Sequence, residues 1–308
     1  MGIIDLHCDI LPKLLENKCS LFNNTCHFDI ERAQQAGLIL QIMSLFTMPA
    51  DSNTSLRNIL FQIDNFYQEL DSNAAYLYLV TDSQSIKEAN HRGKIGCLLH
   101  LEGAEALGND DEILRILYKL GLRSIALTWN ARNLLADGVG EGKQAGGLSV
   151  KGKELVRMLE GMNILLDLAH LSEKGFYEVL ENYNKPVMVS HANAASLCNH
   201  QRNLNDAQLL SLAENGGIVG VTQVNSFIKP GNCTIDDLID HMVFISDLIG
   251  VEHVALGSDF DGSDEIILPG IEGYLSLQPL LRKRGFNENE IQLILKENAL
   301  RVINRVLG

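Results

Sequence analysis

Apolar residues in this chain fall into short, nearly continuous runs separated by longer stretches with helical spacing. Eight runs read as β-strands: 2–8 (GIIDLHC), 37–46 (GLILQIMSLF), 94–101 (KIGCLLHL), 122–129 (LRSIALTW), 163–169 (NILLDLA), 186–190 (PVMVS), 217–223 (GIVGVTQ) and 253–258 (HVALGS). Several lack polar alternation, as expected of strands buried on both faces of a parallel sheet. The intervening segments repeat apolar residues at three- and four-residue intervals. In DDEILRILYKLG, for example, Ile113, Leu114, Leu117 and Leu120 share a face, and Gly121 is placed to end the helix. Several such segments open on Ser, Thr, Asp or Asn, which cap helix N-termini. Two further helical stretches, about 273–284 and 288–306, follow the last strand. Eight strand–helix units predict an α/β protein with a (β/α)8 TIM barrel, with a doubly wound open sheet as the alternative. No GxGxxG follows the first strand, which counts against a dinucleotide-binding sheet. With only 6 prolines and no low-complexity linker, residues 1–308 read as a single catalytic domain, and stretches 11–30 and 130–150 as decoration of the barrel mouth.

The first run poses a problem for burial. Asp5, His7 and Asp9 stand at every second position, so on a regular strand all three point to one face. Three ionisable groups buried in a row are costly without partners. The same residue types recur at the C-terminal ends of the other strands, where barrel active sites form. These are Glu102 in LHLEG, Trp129 and Asn130 in LTWN, Asp167 and His170 in LDLAH, His191 in VSHAN, and Asp259 and Asp261 in GSDFDG. Singly, each has an ordinary explanation: a core histidine hydrogen-bonded to Asp, a solvated Glu in a turn, an Asx-turn or calcium loop in DFDG. Those explanations do not account for all of them falling at the same end of separate strands. Imidazole and carboxylate donors together suit zinc and similar divalent ions. Three histidines and two carboxylates exceed what one tetrahedral ion with an open position needs. The reading is a dinuclear site bridged by Glu102, with two ions about 3.5–4 Å apart activating a shared hydroxide. Arg202, eleven residues past His191, is a candidate to hold a substrate carboxylate bidentately.

Composition narrows the choices. At 46% hydrophobic and 21% charged, the chain reads as an ordinary globular protein, and its formal net charge of −14 argues against a nucleic-acid partner. The six cysteines form no CxxC pair, which argues against a zinc ribbon or a thioredoxin-type site. There is no signal-like N-terminal segment and no apolar run of the ~20 residues needed to span a bilayer, so the expectation is a cytoplasmic protein without membrane contact.

Taken together, DLHCDIL, HLEG, LTWN…ADG, LLDLAHLS, VSHANAAS, QRNL and GSDFDG, in this order, resemble the membrane (renal) dipeptidase family, zinc metallopeptidases of the amidohydrolase superfamily. The resemblance covers nearly the whole chain. It implies a (β/α)8 barrel with two Zn2+ (or other divalent metal ions). His7, Asp9 and Glu102 would hold one ion, and Glu102, His170 and His191 the other. By the same resemblance Arg202 takes the substrate's terminal carboxylate and Asp259 shuttles the proton. The chain departs from animal members at two positions. Trp129 stands where they have a histidine that contacts the substrate carbonyl oxygen, with Asn130 as a candidate replacement donor, and Phe227 falls near a pocket tyrosine. The implied reaction is hydrolysis of dipeptides, C-terminal D-residues included, by a hydroxide bridging the two ions. The alternatives are N-acyl amino acid deacylation, lactone opening, or a binding protein that has kept its metals and lost turnover. The resemblance also raises a homodimer. Asp5, one layer deeper than His7, is expected to support that histidine from behind.

Overall fold

The computed structural model describes residues 2–308. Nine parallel strands form the sheet: β1 (Ile3–Cys8), β2 (Leu38–Phe46), β3 (Leu77–Leu79), β4 (Ile95–Glu102), β5 (Leu122–Ala126), β6 (Leu165–Asp167), β7 (Met188–Ala192), β8 (Ile218–Val221) and β9 (Val254–Leu256). Eight of them close a barrel in the order β1-β2-β4-β5-β6-β7-β8-β9, with β9 pairing back to β1. This is the predicted (β/α)8 architecture. The additional strand is β3. Its three residues pair with Ile95–Cys97 on the edge of β4 that β5 takes over from Leu99 onward. A three-residue strand is too short to show a period, which is why the hydrophobic pattern did not reveal it.

The barrel interior is apolar at its N-terminal end and polar at its C-terminal end. Ile4, Leu6, Leu40, Ile42, Leu98, Leu165, Met188, Ile218 and Ala255, from seven of the strands, form one buried cluster. The final helix, Asn298–Leu307, closes this end with Val302, Ile303 and Val306. Above it lie Ser44, His100, Glu102, Ser124, Asp167 and Ser190, all buried. A larger core of Leu, Ile, Val and Phe residues includes the outer faces of the strands and the surrounding helices. The segment after β9 matches the two expected helical stretches, as Leu277–Lys283 and a run from Glu288 to Leu307 that contains one π-turn at Leu293–Glu297. Among the described residues no helix is long and apolar enough to cross a membrane.

Two irregularities shape the mouth. Between Asp5 and Cys8 the register of β1 slips by one residue against β2: three steps on β1 match two on β2. The same happens between Val189 and Ala192 of β7 against β8. Such bulges break the two-residue alternation and re-aim side chains. The regular-strand expectation for Asp5, His7 and Asp9 is therefore wrong for Asp5. Its carboxylate does not support His7. It accepts hydrogen bonds from the Ser258 amide (2.8 Å) and hydroxyl (2.6 Å), Gln41 Nε2 (2.9 Å) and the Tyr274 hydroxyl (2.9 Å). Asp5 thus fixes the end of β9 that leads into Asp259.

Strands β7, β8 and β9 approach so closely that a Cβ added to Gly257 would lie 1.8 Å from the Ser190 carbonyl oxygen. Gly257→Ala is expected to destabilise the fold by about 3 kcal/mol or more, because backbone must move to relieve the clash. Gly161, at the end of the helix Val150–Gly161, has nothing within 4 Å of the same position. Gly161→Ala should be neutral or stabilise by up to about 1 kcal/mol. Denaturant unfolding of the two variants checks both signs.

Candidate metal centre

The five predicted ligands converge. His7 comes from β1, Glu102 is the last residue of β4, and His191 lies in β7. Asp9 and His170 stand just beyond β1 and β6, and all five are buried. Glu102 lies between two groups. Its Oε2 is 3.6 Å from His7 Nε2, which in turn is 3.1 Å from Asp9 Oδ2. Its Oε1 is 2.9 Å from His170 Nε2 and 3.7 Å from His191 Nε2. The sets His7–Asp9–Glu102 and Glu102–His170–His191 each bring their ligand atoms within 4.8 Å of one another.

Whether these donors fit a cation can be tested on their protons. His170 Nδ1 is 2.8 Å from Asn130 Oδ1, which can only accept, so Nδ1 carries the hydrogen. His191 Nδ1 is 2.8 Å from Ser190 Oγ, whose own hydrogen goes to Asp167 Oδ2, so Nδ1 donates again. Burial holds both rings in the neutral form, with His170 lowered to about 4 and His191 well below its usual value. Two Nε2 lone pairs therefore face each other at 2.9 Å. That arrangement is repulsive unless a cation lies within their reach. Asp9 Oδ1, buried with no hydrogen-bond partner, is a further donor to such an ion. Burial also disfavours charge on His7, but the carboxylates of Glu102 and Asp9 outweigh it and raise its pKa well above the usual value. Burial likewise opposes the Glu102 carboxylate, yet His7 above all holds it well below the usual range. The nitrogen and oxygen donors, the paired lone pairs and the bare oxygen all fit divalent metal.

Asp259 stands beyond β9 with φ 62°, and His170 and Asp261 also adopt left-handed backbone, at 65° and 67°. Such conformations cost about 1–3 kcal/mol each and persist where the surroundings enforce them. Asp259 Oδ1 is 3.9 Å from His7 Nε2. Burial, then Asp9 and Glu102, raise its pKa well above the carboxylate range against the pull of His7 and Arg202. A Cβ on Gly262 would lie 2.2 Å from Asp259 Oδ1 and 2.4 Å from Asp9 Oδ2, so the glycine of GSDFDG makes room for two carboxylates. Asp261 turns away and accepts the amides of His27 (2.8 Å) and Phe28 (3.2 Å), clamping the 19–28 loop.

Arg202 is only 4% exposed. Its Nη2 donates to the His191 carbonyl at 3.1 Å, its Nε has no partner, and burial lowers its pKa to about 10. Its guanidinium lies 5.6 Å from the centre of the Phe227 ring. Trp129 lines the same cavity of about 390 Å³, with its ring 6.0 Å from that of His170. Asn130 also lines it, but its Oδ1 is committed to His170. Sequence reasoning missed the residues under the ligands. Ser190 joins His191 to Asp167, and His100 Nε2 lies 3.4 Å from Asp167 Oδ2 while its Nδ1 meets Ser124 Oγ at 2.9 Å. The only available signals were a serine adjoining His191 and a histidine two residues before Glu102 on one strand face.

Comparisons with known proteins identify the family and match the fold. The family model for membrane dipeptidases (peptidase family M19) matches residues 1–307. The dipeptidase verJ of Clonostachys rogersoniana is 34% identical over 82% of this chain and 66% of its own length; the dipeptidase tcpJ of Claviceps purpurea is 29% identical over 82% and 61%. The matched part thus spans less than two thirds of these fungal relatives. A metallopeptidase of Rhodobacter sphaeroides, solved with a phosphinate mimic of the dipeptide L-Ala-D-Ala, superposes with a TM-score of 0.94 at 25% identity, covering 99% of each chain. The solved dipeptidase AC, a metallopeptidase of family M19, gives 0.93 at 26% identity over 100% of this chain and 99% of its own.

Ser190→Ala removes the acceptor that fixes the His191 ring, and is expected to weaken metal binding about 10–100-fold. Chelator-competition titration measures the change, and circular dichroism verifies that the barrel stays folded.

Proposed function

The chain belongs to the membrane dipeptidase family, and from that premise we propose that it is a metal-dependent dipeptidase holding two divalent ions, zinc by the family resemblance. The observation that carries the reading is Glu102, whose two carboxylate oxygens face His7–Asp9 on one side and His170–His191 on the other, with the buried Arg202 beside them. Bound there, divalent ions supply Lewis acidity to a carbonyl oxygen and lower the pKa of water.

The protein's own groups do the rest. Arg202 binds the substrate's C-terminal carboxylate through donors left free in the cavity, and so sets where the peptide bond falls. Asn130 and Ser190 keep the two histidine rings with Nε2 toward the centre. Asp259, held over His7 by its left-handed backbone, takes the proton released by the attacking water and delivers it to the leaving amine. The bound L-Ala-D-Ala mimic in the Rhodobacter relative supports including C-terminal D-residues among the substrates.

Zinc-loaded protein is expected to release free amino acids from members of a panel of L,L- and L,D-dipeptides, with activity lost on chelation and restored by metal. Asp259→Asn should lower kcat by about 10²–10⁴-fold with metal content unchanged by elemental analysis. Retained metal with no cleavage of any dipeptide would overturn the reading in favour of N-acyl amino acid deacylation, lactone opening or a non-catalytic binding role, which assays on N-acyl amino acids and lactones then separate.

A further inference from the structure

The barrel mouth is divided by chemistry. Arg202 follows β7, and in the closed order of eight strands β7 stands four strands from β2 in either direction, directly across the barrel. β2 ends in Phe46, whose backbone is in register with Glu102 of β4. Trp129, just past β5, packs its ring 5.7 Å from that of Phe46. Its main chain is held closely: a Cβ on Gly138 would lie 2.3 Å from the Trp129 carbonyl oxygen. Met48, 63% exposed, and Pro12 continue this wall toward the rim. The charged groups lining the rim beyond Pro12, Lys13 and Glu16, are 3.5 Å apart and engage each other.

We propose that Phe46, Trp129 and Met48 form the subsite for the side chain of the substrate's N-terminal residue, and that this subsite selects large apolar side chains. The inference rests on the dipeptidase reading and on Arg202 taking the C-terminal carboxylate. With that end fixed under β7 and the scissile bond at the ligand cluster, the N-terminal residue extends toward β2, β4 and β5. There it meets two aromatic side chains and a thioether that line the cavity. An apolar side chain gains by leaving water against this wall. A carboxylate there would be desolvated with no cation of the wall facing it.

The test is a comparison of kcat/KM for Phe-Ala, Leu-Ala, Gly-Ala and Asp-Ala with the zinc-loaded protein. Phe-Ala and Leu-Ala are expected to exceed Gly-Ala and Asp-Ala by about tenfold or more. Phe46→Ala and, independently, the exposed Met48→Ala should shrink the ratio of Phe-Ala to Gly-Ala, chiefly by lowering the Phe-Ala value. Gly-Ala or Asp-Ala cleaved as well as Phe-Ala, or a ratio unmoved in both variants, overturns the proposal while leaving the dipeptidase reading standing. Absence of cleavage of all four and of the wider dipeptide panel overturns both.

Discussion

The mouth of this barrel is organised by one buried carboxylate shared between two sets of candidate ligands. Glu102 is only 4% exposed, and burial alone would drive it to the neutral form. Instead His7, beside Oε2, holds it ionised, and Ser44 Oγ lies 3.3 Å from the same oxygen, while His170 Nε2 approaches Oε1 at 2.9 Å. Without it, His7 and Asp9 on one side and His170 and His191 on the other would be two separate pairs. Neither pair makes the three-residue ligand set that a catalytic ion with an open position needs. β4, paired to β2 on one edge and β5 on the other, presents this carboxylate at the boundary between the apolar plug and the open cavity of the mouth.

The ligands that surround Glu102 depend on departures from ideal strand geometry. In β7 the bulge lets consecutive residues serve one site: Ser190 holds the ring of its neighbour His191. In β1 the slip separates Asp5, which braces the end of β9, from His7, which faces the centre. The left-handed backbone at His170 is fixed by its carbonyl, which accepts from Val139 N at 2.8 Å. Strain at these points is stored by the frame and spent on orientation, as expected where ligand geometry outranks local propensity.

Much of this was legible in the sequence, for identifiable reasons. Strands buried on both faces leave continuous apolar runs, so all eight barrel strands could be read, and polar residues at their ends marked His7, Asp9, Glu102, His170, His191 and Asp259, whereas Arg202, in the loop eleven residues past His191, was singled out by the family resemblance. Strand ends were less legible: the run expected to reach Trp129 leaves the sheet at Ala126, and the one expected to stop at Ser190 continues to Ala192. Bulges and tautomers were not legible at all. A bulge is decided by the partner strand's register, and a histidine's proton by the group behind it, whether Asn130 or Ser190. Asp5 shows the consequence. Its spacing from His7 suggested a shared face, and one slipped residue gave it a different function.

The opposed placement of Arg202 and Phe46 bears on substrate length as well as side chain. An extended chain advances at most about 3.3–3.6 Å per residue. In the proposed binding mode, a carboxylate anchored at Arg202 after β7 directs the first peptide bond toward the ligand cluster and the next residue toward the β2 side. A third residue would have to pass Phe46 and Trp129, whose rings pack 5.7 Å apart, or turn out of the mouth past Met48. In that binding mode the wall that favours an apolar first side chain also stands in the way of a third residue. Length and side-chain preference follow from one arrangement, an anchoring cation and an aromatic face on opposite strands of a closed barrel.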